Sequence, residues 1–378
     1  MQNAQRTLTE NRRPSGLAAV GTDIAGARPA TSTILERRRA GIIGEEVADD
    51  PSLAGRLAWL GARLTVRPVL TIGGYVTYAH WPWGLVDFAA RAVTHVPGSV
   101  RATIQLPHCT ARLVRAAGVL PVDGTRRVVL YMHGGAFMAC GANTHDRLVT
   151  MLSKYGDSPV LLMNYRMLPK HSIGAAIDDC CDGYRRLREW GYQPEQIVLA
   201  GDSAGGYLSL ALAERLLTEG EKPAAMVYMS PLMQIAKAAR RAQPTVGADA
   251  MFSAKAFDAF IHLVATAARR HRVTGRPEEI YEPLDHVEPG LPRTLIHASG
   301  SEVLLHDARL AARWLAAVGV PVQLWVWPGQ MHVFQIAAPM VPEADRSLRQ
   351  IGTYIREATD EQTHHRAVGV ITAAISHR

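Results

Sequence analysis

The chain has 378 residues, of which 48% are hydrophobic, 20% charged and 6% aromatic. This balance excludes a disordered chain, a collagen-like chain and a polytopic membrane protein, and it predicts a soluble globular protein with a sizeable core. The formal net charge is +7, from 41 basic and 34 acidic residues. Because the basic residues are scattered and lack a zinc-finger, homeodomain or RNP pattern, we expect a solvated basic surface and no nucleic-acid partner.

The cysteines and the N-terminus bear on the cellular compartment. Cys109, Cys140, Cys180 and Cys181 have neither metal-ligand spacing nor the density of a disulfide framework, so we expect reduced thiols and no metal site. The N-terminal segment MQNAQRTLTENRRPSG contains no apolar stretch of the kind found in secretory signals. We therefore expect a cytoplasmic protein and leave membrane association open.

The first hundred residues differ in composition from the rest of the chain. Residues 1–35 are polar and predict a flexible leader, and residues 36–100 predict an N-terminal helical cap segment. Within this segment, Pro68–Val86 carries no formal charge and contains Trp81 and Trp83. Proline and glycine interrupt the stretch, so we expect a cap over a pocket or an interfacial patch rather than a membrane-spanning helix.

After residue 100, short β-rich runs alternate with helical runs. Strands in this alternation predict an α/β fold with a mostly parallel sheet of about eight strands, flanked by helices on both faces. The eight predicted strands are Thr103–Leu106, Ala111–Ala116, Val128–Met132, Val160–Tyr165, Ile197–Ala200, Met226–Ser230, Thr294–Ala298 and Val320–Trp327. The clearest predicted helices are Ala176–Trp190, Ala204–Thr218, Asp307–Val318 and Glu343–Thr359.

One long excursion interrupts this alternation. Residues 233–285 contain a helical run, Ser253–Arg270, but no clear strand. Long excursions between strands of a compact domain are usually functional, so we expect these residues to contribute cap helices. The catalytic domain is accordingly predicted over residues 101–358, and residues 359–378 are predicted to be a tail.

The sharpest chemical signal is Gly201–Gly206, with the sequence GDSAGG. It satisfies G-x-S-x-G and lies between a predicted strand and a predicted helix, which is the setting of a nucleophile elbow. Ser203 is the predicted nucleophile. Gly201 and Gly205 leave room for the tight turn, and Asp202 is expected to support it.

A second glycine motif lies about seventy residues upstream. His133, Gly134 and Gly135 directly follow a predicted strand. Backbone N–H groups at such a turn can stabilise the oxyanion of a tetrahedral intermediate, so we predict the amides of Gly134, Gly135 and Ala204 as the oxyanion hole. His133 is expected to anchor this loop rather than act as a base.

A serine nucleophile needs a base, and the base needs an orienting acid. His332 follows the last predicted strand, where the base of a Ser–acid–His chain order is expected. The acid should follow the strand Thr294–Ala298. Glu302 is the preferred candidate because it lies closer to the strand end, and Asp307, at a helix start, is the alternative.

With these motifs in place, the chain resembles the hormone-sensitive-lipase-like esterases of the α/β-hydrolase superfamily over residues 100–358. Six segments in family order carry the resemblance: His133–Phe137 (HGGAF), Asn164–His171 (NYRMLPKH), Gly201–Gly206 (GDSAGG), Ser230–Leu232 (SPL), Gly290–Ile296 (GLPRTLI) and Trp327–His332 (WPGQMH). The resemblance implies the α/β-hydrolase fold, a helical cap, and the same roles for Ser203, His332 and the oxyanion amides.

The chain departs from the family pattern at two places. The family's acid motif, commonly D-P-L-x-D, aligns with Glu302–His306, which places Glu302 where many members have aspartate and His306 where the second acid stands. Met233 and Gln234 replace the Asp-Leu pair that commonly follows the SP motif. We therefore make no prediction about which residues form the wall of the binding site at that point.

The sequence as a whole predicts a serine carboxylic-ester hydrolase, an esterase or lipase, acting on short- to medium-chain acyl esters through an acyl-enzyme. A small-molecule or lipid ester is the expected partner, no cofactor is expected, and the protein is expected to be a monomer or a dimer. Three alternatives remain: the same triad acting on a lactone, thioester or amide, peripheral membrane contact through the N-terminal cap, and a non-enzymatic ligand-binding protein on a hydrolase scaffold.

Overall fold

The computed structural model describes residues 44–73, 84–92, 94–235, 245–273 and 276–376. The predicted leader, residues 1–35, lies outside the described residues. The same holds for Trp81 and Trp83 of the uncharged stretch.

Within the described residues, nine strands form one sheet. The strands are β1 (Gly44–Val47), β2 (Val100–Gln105), β3 (Thr110–Arg115), β4 (Val128–Met132), β5 (Val160–Asn164), β6 (Ile197–Asp202), β7 (Ala225–Met229), β10 (Thr294–Ser299) and β11 (Val322–Trp327). Their order across the sheet is β1-β11-β10-β7-β6-β4-β5-β3-β2. Only β3 runs antiparallel to its neighbours β2 and β5, and the remaining pairs are parallel. A separate hairpin joins β8 (Arg272–Val273) to β9 (Arg276–Pro277).

Helices cover both faces of this sheet. They are α1 (Leu53–Gly73), α2 (Gly84–Ala90), α3 (Asp146–Gly156), α4 (Ile173–Glu189), α5 (Ala204–Thr218), α6 (Thr245–Ala248), α7 (Ala254–Arg270), α8 (Leu305–Ala317) and α9 (Pro342–Ser376). One buried core joins the sheet to α4, α5, α7 and α8, and a second joins it to α3 and α9. In β4, Leu130 faces the first core and Tyr131 the second, because successive side chains of a strand point to opposite faces.

All eight predicted strands are present, with ends shifted by up to three residues. The predicted α/β class and its mostly parallel sheet are confirmed. The helices within Ala176–Trp190, Ala204–Thr218, Ser253–Arg270 and Asp307–Val318 also form at close to their predicted bounds. The predictions succeed here because apolar periodicity in these segments matches burial against a single sheet.

Several elements differ from the predictions, among them the hairpin of β8 and β9, which lies in the excursion where no clear strand was predicted. Gly44–Val47 lies in the predicted helical cap segment but forms a strand paired in parallel with β11. The helix α3 was not among the predicted helices. The last helix continues to Ser376, so that residues 359–376 of the predicted tail are helical. The strand Gly44–Val47 depends on pairing with β11, which lies almost 280 residues away, and local sequence does not encode that pairing.

The model also bears on the question of a membrane span. None of the helices in the described ranges is both long enough and apolar enough to cross a bilayer.

Candidate active site

The turn between β6 and α5 holds Ser203 in a strained backbone conformation. Its φ of +50° and ψ of −120° are unusual for a residue with a side chain, and such conformations cost about 1–3 kcal/mol. Its amide donates a hydrogen bond to the Met229 carbonyl at 3.0 Å, and its carbonyl accepts one from Leu232 at 3.0 Å. Contacts to the end of β7 therefore hold the nucleophile turn in place.

The glycines of this turn allow two backbone segments to come close together. A Cβ atom on Gly205 would lie 1.9 Å from the Met132 carbonyl oxygen, and one on Gly201 would lie 2.4 Å from the Gly205 carbonyl oxygen. Both distances are far shorter than any van der Waals contact. The strand–turn–helix junction therefore requires glycine at both positions.

The first testable prediction concerns this close approach. We expect Gly205→Ala to destabilise the protein by about 3 kcal/mol or more, because the new methyl group overlaps the β4 backbone. Urea unfolding followed by circular dichroism measures the change. Gly61→Ala is the matched control: its added Cβ has no atom within 4 Å, and we expect α1 to gain about 1 kcal/mol from the better helix former. Equal stability of the two variants would contradict the expected clash.

The structure brings His332 and Glu302 into direct contact. Their Nδ1 and Oε2 atoms lie 2.6 Å apart, and both side chains are buried. The second oxygen of Glu302, Oε1, accepts a hydrogen bond from the Ser299 amide at 2.7 Å, which fixes the carboxylate. The other imidazole nitrogen of His332, Nε2, is buried and has no hydrogen-bond partner among the described residues. Ser203 and His332 line the same cavity but are not hydrogen-bonded to each other.

The electrostatics of this pair follow from burial and contact. Burial alone lowers the pKa of His332, but the hydrogen bond and the charge of Glu302 outweigh it and raise the pKa above its ordinary value. Burial raises the pKa of Glu302, and the hydrogen bonds from His332 and from the Ser299 amide oppose that rise. The imidazolium form of His332 is thus stabilised by its partner.

The alternative acid, Asp307, has different partners. Its Oδ2 atom accepts hydrogen bonds from the amides of Met233 at 2.8 Å and Gln234 at 3.2 Å, and the side chain is fully buried. Asp307 therefore anchors the chain after β7, at the two positions where the sequence departs from the family pattern.

The structure corrects one detail of the predicted oxyanion hole. The Gly134 amide donates to Asp202 Oδ1 at 3.0 Å, so this N–H is already engaged inside the protein. The next two residues, Gly135 and Ala136, line the cavity and have φ values of +110° and +55°. Among the described residues, the amides of Gly135, Ala136 and Ala204 make no hydrogen bond.

Asp202 is the centre of a buried network beneath the nucleophile turn. Its carboxylate accepts the Tyr131 hydroxyl at 2.8 Å and lies 3.2 Å from His145 Nε2. Burial raises the pKa of Asp202, but His145 and the other hydrogen bonds outweigh it and lower the pKa below its ordinary value. The network joins the turn at Ser203 to the loop at Gly134. Sequence reasoning missed His145 and Tyr131, because neither belongs to a motif.

His133 is packed and hydrogen-bonded at the start of its loop. Its ring stacks on Tyr165 with centroids 4.4 Å apart, and its carbonyl accepts the Tyr165 hydroxyl at 2.7 Å. Complete burial lowers the pKa of His133 to about 4, so the ring is neutral near neutral pH.

Ser203 and His332 open into an apolar cavity of about 560 Å³. Its walls come from α1, α2, α7 and the loops around the two side chains. The apolar lining residues are Ala62, Val66, Val69, Leu70, Val86, Ala136, Met138, Ala139, Leu232, Met251, Phe252, Ala256, Phe257, Phe260, Leu304, Met331, Val333 and Ile336. A cavity of this kind suits an apolar ligand that presents one reactive polar group to the serine.

The side chain of Asp249 joins the cavity wall to the loop that carries Glu302, a contact that no sequence motif indicates. Asp249 Oδ1 accepts hydrogen bonds from the amides of Met251 and Phe252 at 2.7 Å, and its Oδ2 accepts the Val303 amide at 2.7 Å. The Phe252 ring then packs edge-on against His332, with centroids 5.1 Å apart. Asp249 therefore positions both the residue after Glu302 and an aromatic neighbour of the base.

Comparison with known proteins agrees with this geometry. A family described as having the alpha/beta hydrolase fold matches residues 129–336, which is more than half of the chain. The chain belongs to this family of α/β hydrolases.

Individual relatives narrow the class. The chain is 66% identical to Esterase LipU of Mycobacterium tuberculosis (strain ATCC 25618 / H37Rv) over 296 residues, covering 78% of this chain and all of the relative. It is 59% identical to the Carboxylesterase/phospholipase LipF of the same strain, covering 83% of this chain and 84% of the relative. A solved esterase from the bacterial hormone-sensitive lipase family is 27% identical with a TM-score of 0.66, covering 77% of this chain and 98% of that one. The protein is an esterase of the hormone-sensitive-lipase-like type.

Proposed function

We propose that the protein cleaves carboxylic esters of short- to medium-chain acyl groups, with Ser203 as nucleophile, His332 as base and Glu302 as the orienting acid. The observation that carries this proposal is the 2.6 Å contact between His332 and Glu302 beside the same apolar cavity that Ser203 lines. The Nε2 atom of His332, which has no hydrogen-bond partner among the residues that the structure describes, is the one available to take the serine proton.

The reaction proceeds in two halves. Ser203 Oγ attacks the ester carbonyl carbon while His332 Nε2 takes the hydroxyl proton, and Glu302 stabilises the resulting imidazolium. The tetrahedral intermediate collapses, the carbon–oxygen bond to the alcohol breaks, and His332 returns the proton to the departing alcohol. Water then attacks the acyl-enzyme by the same route, which releases the carboxylic acid and restores Ser203.

The oxyanion donors are proposed from the position of the backbone amides that make no hydrogen bond within the described residues. Gly135 and Ala136 line the cavity, and Ala204 follows the nucleophile at the start of α5. A single donor of this kind contributes about 2.7–4 kcal/mol to stabilising the transition state. Because the Gly134 amide is bonded to Asp202, we assign it the task of holding the loop instead.

The acyl group is proposed to lie between α1 and α7. Val66 and Leu70 line the cavity from α1, and Ala256 and Phe260 line it from α7. Each methylene that is buried against these apolar walls adds to the binding free energy until the cavity is filled. The walls therefore favour acyl chains over charged or sugar-like substituents.

This placement predicts a specific dependence on acyl length. For p-nitrophenyl esters, kcat/KM is expected to rise about fourfold for each added methylene until the chain fills the cavity, because burying a methylene contributes about 0.8 kcal/mol. Ala256→Leu should narrow the cavity and lower the ratio of decanoate to butyrate activity about tenfold or more. Ala265→Leu, on the same helix but outside the cavity lining, is the control. An unchanged ratio in Ala256→Leu would place the acyl chain elsewhere.

The bond that is cleaved is tested separately. We would measure kcat/KM for four substrates with matched acyl groups: an ester, a lactone, a thioester and an amide. This compares the four bond types at one acyl-binding site. The proposal requires that the open-chain ester be the best of these substrates by kcat/KM.

A further inference from the structure

The long helix α1 exposes a row of leucines to solvent. Leu53, Leu57, Leu60 and Leu64 are between 45% and 74% exposed. At about 100° per residue, these four side chains fall within an arc of about 60° on the helix surface. Isolated exposed apolar side chains are normal, but a continuous apolar row marks an interaction surface. We call these four residues the leucine row.

Exposed apolar side chains are concentrated in this part of the molecule. Of the fifteen large hydrophobic side chains that are exposed within the described residues, ten lie between Val47 and Phe88. They include Leu85 and Phe88 of the short helix α2, which are 62% and 70% exposed. The others, such as Leu120 and Met340, are scattered over the rest of the chain.

The opposite side of α1 faces the apolar cavity. Ala62, Val66 and Val69 line the cavity that contains Ser203. By the same angular spacing, these residues are centred about 180° from the leucine row. One helix therefore separates the apolar cavity from an apolar outer surface, so whatever covers the leucine row lies one helix away from the reacting serine.

The charge beside the leucine row is positive. Arg56, Arg63 and Arg67 lie together along one flank of the row, within an arc of about 40°. Arg56 and Arg63 donate to the carbonyls of Pro51 and Gly247, and Arg67 donates to that of Asp249. None of the three arginines forms an ion pair with a carboxylate in the part of the chain that the structure describes. Leu53–Gly73 itself contains no acidic residue.

We propose that the leucine row with its arginine flank is a docking surface for an anionic lipid membrane. Leucines entering the boundary between headgroups and acyl chains, beside arginines that meet lipid phosphates, are the features of a helix that lies in the plane of a membrane. A second copy of the chain fits less well, because an antiparallel two-fold contact would bring the three arginines of each copy, which have no carboxylate partner within the described residues, towards those of the other. A membrane also supplies ester substrates next to the cavity.

The surface is tested by vesicle binding, which needs no turnover. The full chain is sedimented with vesicles of phosphatidylcholine alone and with vesicles that also contain phosphatidylglycerol. We expect binding to the anionic vesicles to be about tenfold or more stronger, and to weaken as salt is raised. The double variant Leu57→Gln/Leu64→Gln should lose about tenfold or more of this binding. Leu120→Gln/Met340→Gln removes two exposed apolar side chains elsewhere and should bind as the wild type does.

Two further measurements make the outcome decisive. Hydrolysis of dissolved p-nitrophenyl butyrate should be unchanged in Leu57→Gln/Leu64→Gln, because neither leucine lines the cavity. This separates failure of the surface from failure of the proposed ester chemistry or of folding. Equal vesicle binding by wild type and Leu57→Gln/Leu64→Gln, or no wild-type preference for anionic vesicles, overturns the proposal. A wild-type dimer and a monomeric Leu57→Gln/Leu64→Gln variant in light scattering would also overturn the proposal, since a second copy would then cover the leucine row.

Discussion

Replacing Ser203 with alanine is expected to lower kcat/KM for p-nitrophenyl esters by about four to six orders of magnitude. The loss is this large because no acyl-enzyme can form without the serine oxygen, and the remaining oxyanion donors supply only a small part of the rate enhancement. Steady-state hydrolysis by the purified protein measures it. The variant should fold normally, since the Ser203 side chain makes no hydrogen bond within the described residues that support the turn.

A covalent probe provides the control for this variant. Wild-type protein should be labelled by a fluorophosphonate, and Ser203→Ala should not, because the probe reports an activated serine. Near-normal turnover by the alanine variant would refute Ser203 as the nucleophile. An unlabelled wild-type protein would contradict the proposed activation of Ser203 by His332.

The second large effect distinguishes the two acidic residues. We expect Glu302→Gln to lower kcat/KM by about three to four orders of magnitude, because the amide cannot stabilise the imidazolium of His332. Asp307→Asn keeps the size of a side chain that accepts hydrogen bonds from the amides of Met233 and Gln234, while Glu302 is the partner of His332, so the loss in Asp307→Asn should be about tenfold or less. These isosteric changes avoid the cavities that alanine would leave. The reverse ranking would reassign the acid.

The pH profile separates a role in catalysis from a role in folding. Only neutral His332 can accept the serine proton, so wild-type kcat/KM should fall as the pH drops through a pKa above the ordinary value of 6.5. Removing the negative charge of Glu302 lowers that pKa, and the acid limb of Glu302→Gln should therefore lie at lower pH. In Asp307→Asn the acid limb should stay where it is in the wild type.

Much of the fold could be predicted because the core elements have recognisable patterns within their own short segments of sequence. Val128–Met132 and Ile197–Ala200 are apolar runs followed directly by glycine motifs, and the structure places both in fully buried central strands. Ala204–Thr218 has the length and composition of a buried helix and forms over those residues. These elements bury their side chains against immediate neighbours, so composition and period suffice to predict them.

Other elements depend on partners that are distant in sequence. The strand Gly44–Val47 contains two glutamates and becomes a strand only by pairing with Val322–Trp327. The pairing of Gly44–Val47 has no local signature, because its energy comes from the partner strand and not from the segment itself. The helix α3 is different, because Leu148, Val149 and Leu152 follow helical spacing and are buried, which is a local pattern.

The sequence by itself determined the fold class and the esterase family, because short motifs such as Gly201 and Gly205 around Ser203 are specified by local steric needs. Tertiary structure decided what those groups contact. It places Glu302 rather than Asp307 against His332, and it directs the Gly134 amide inward to Asp202. The direction of an amide or a carboxylate depends on loops from several strands meeting at one edge of the sheet, and that meeting exists only once the chain has folded.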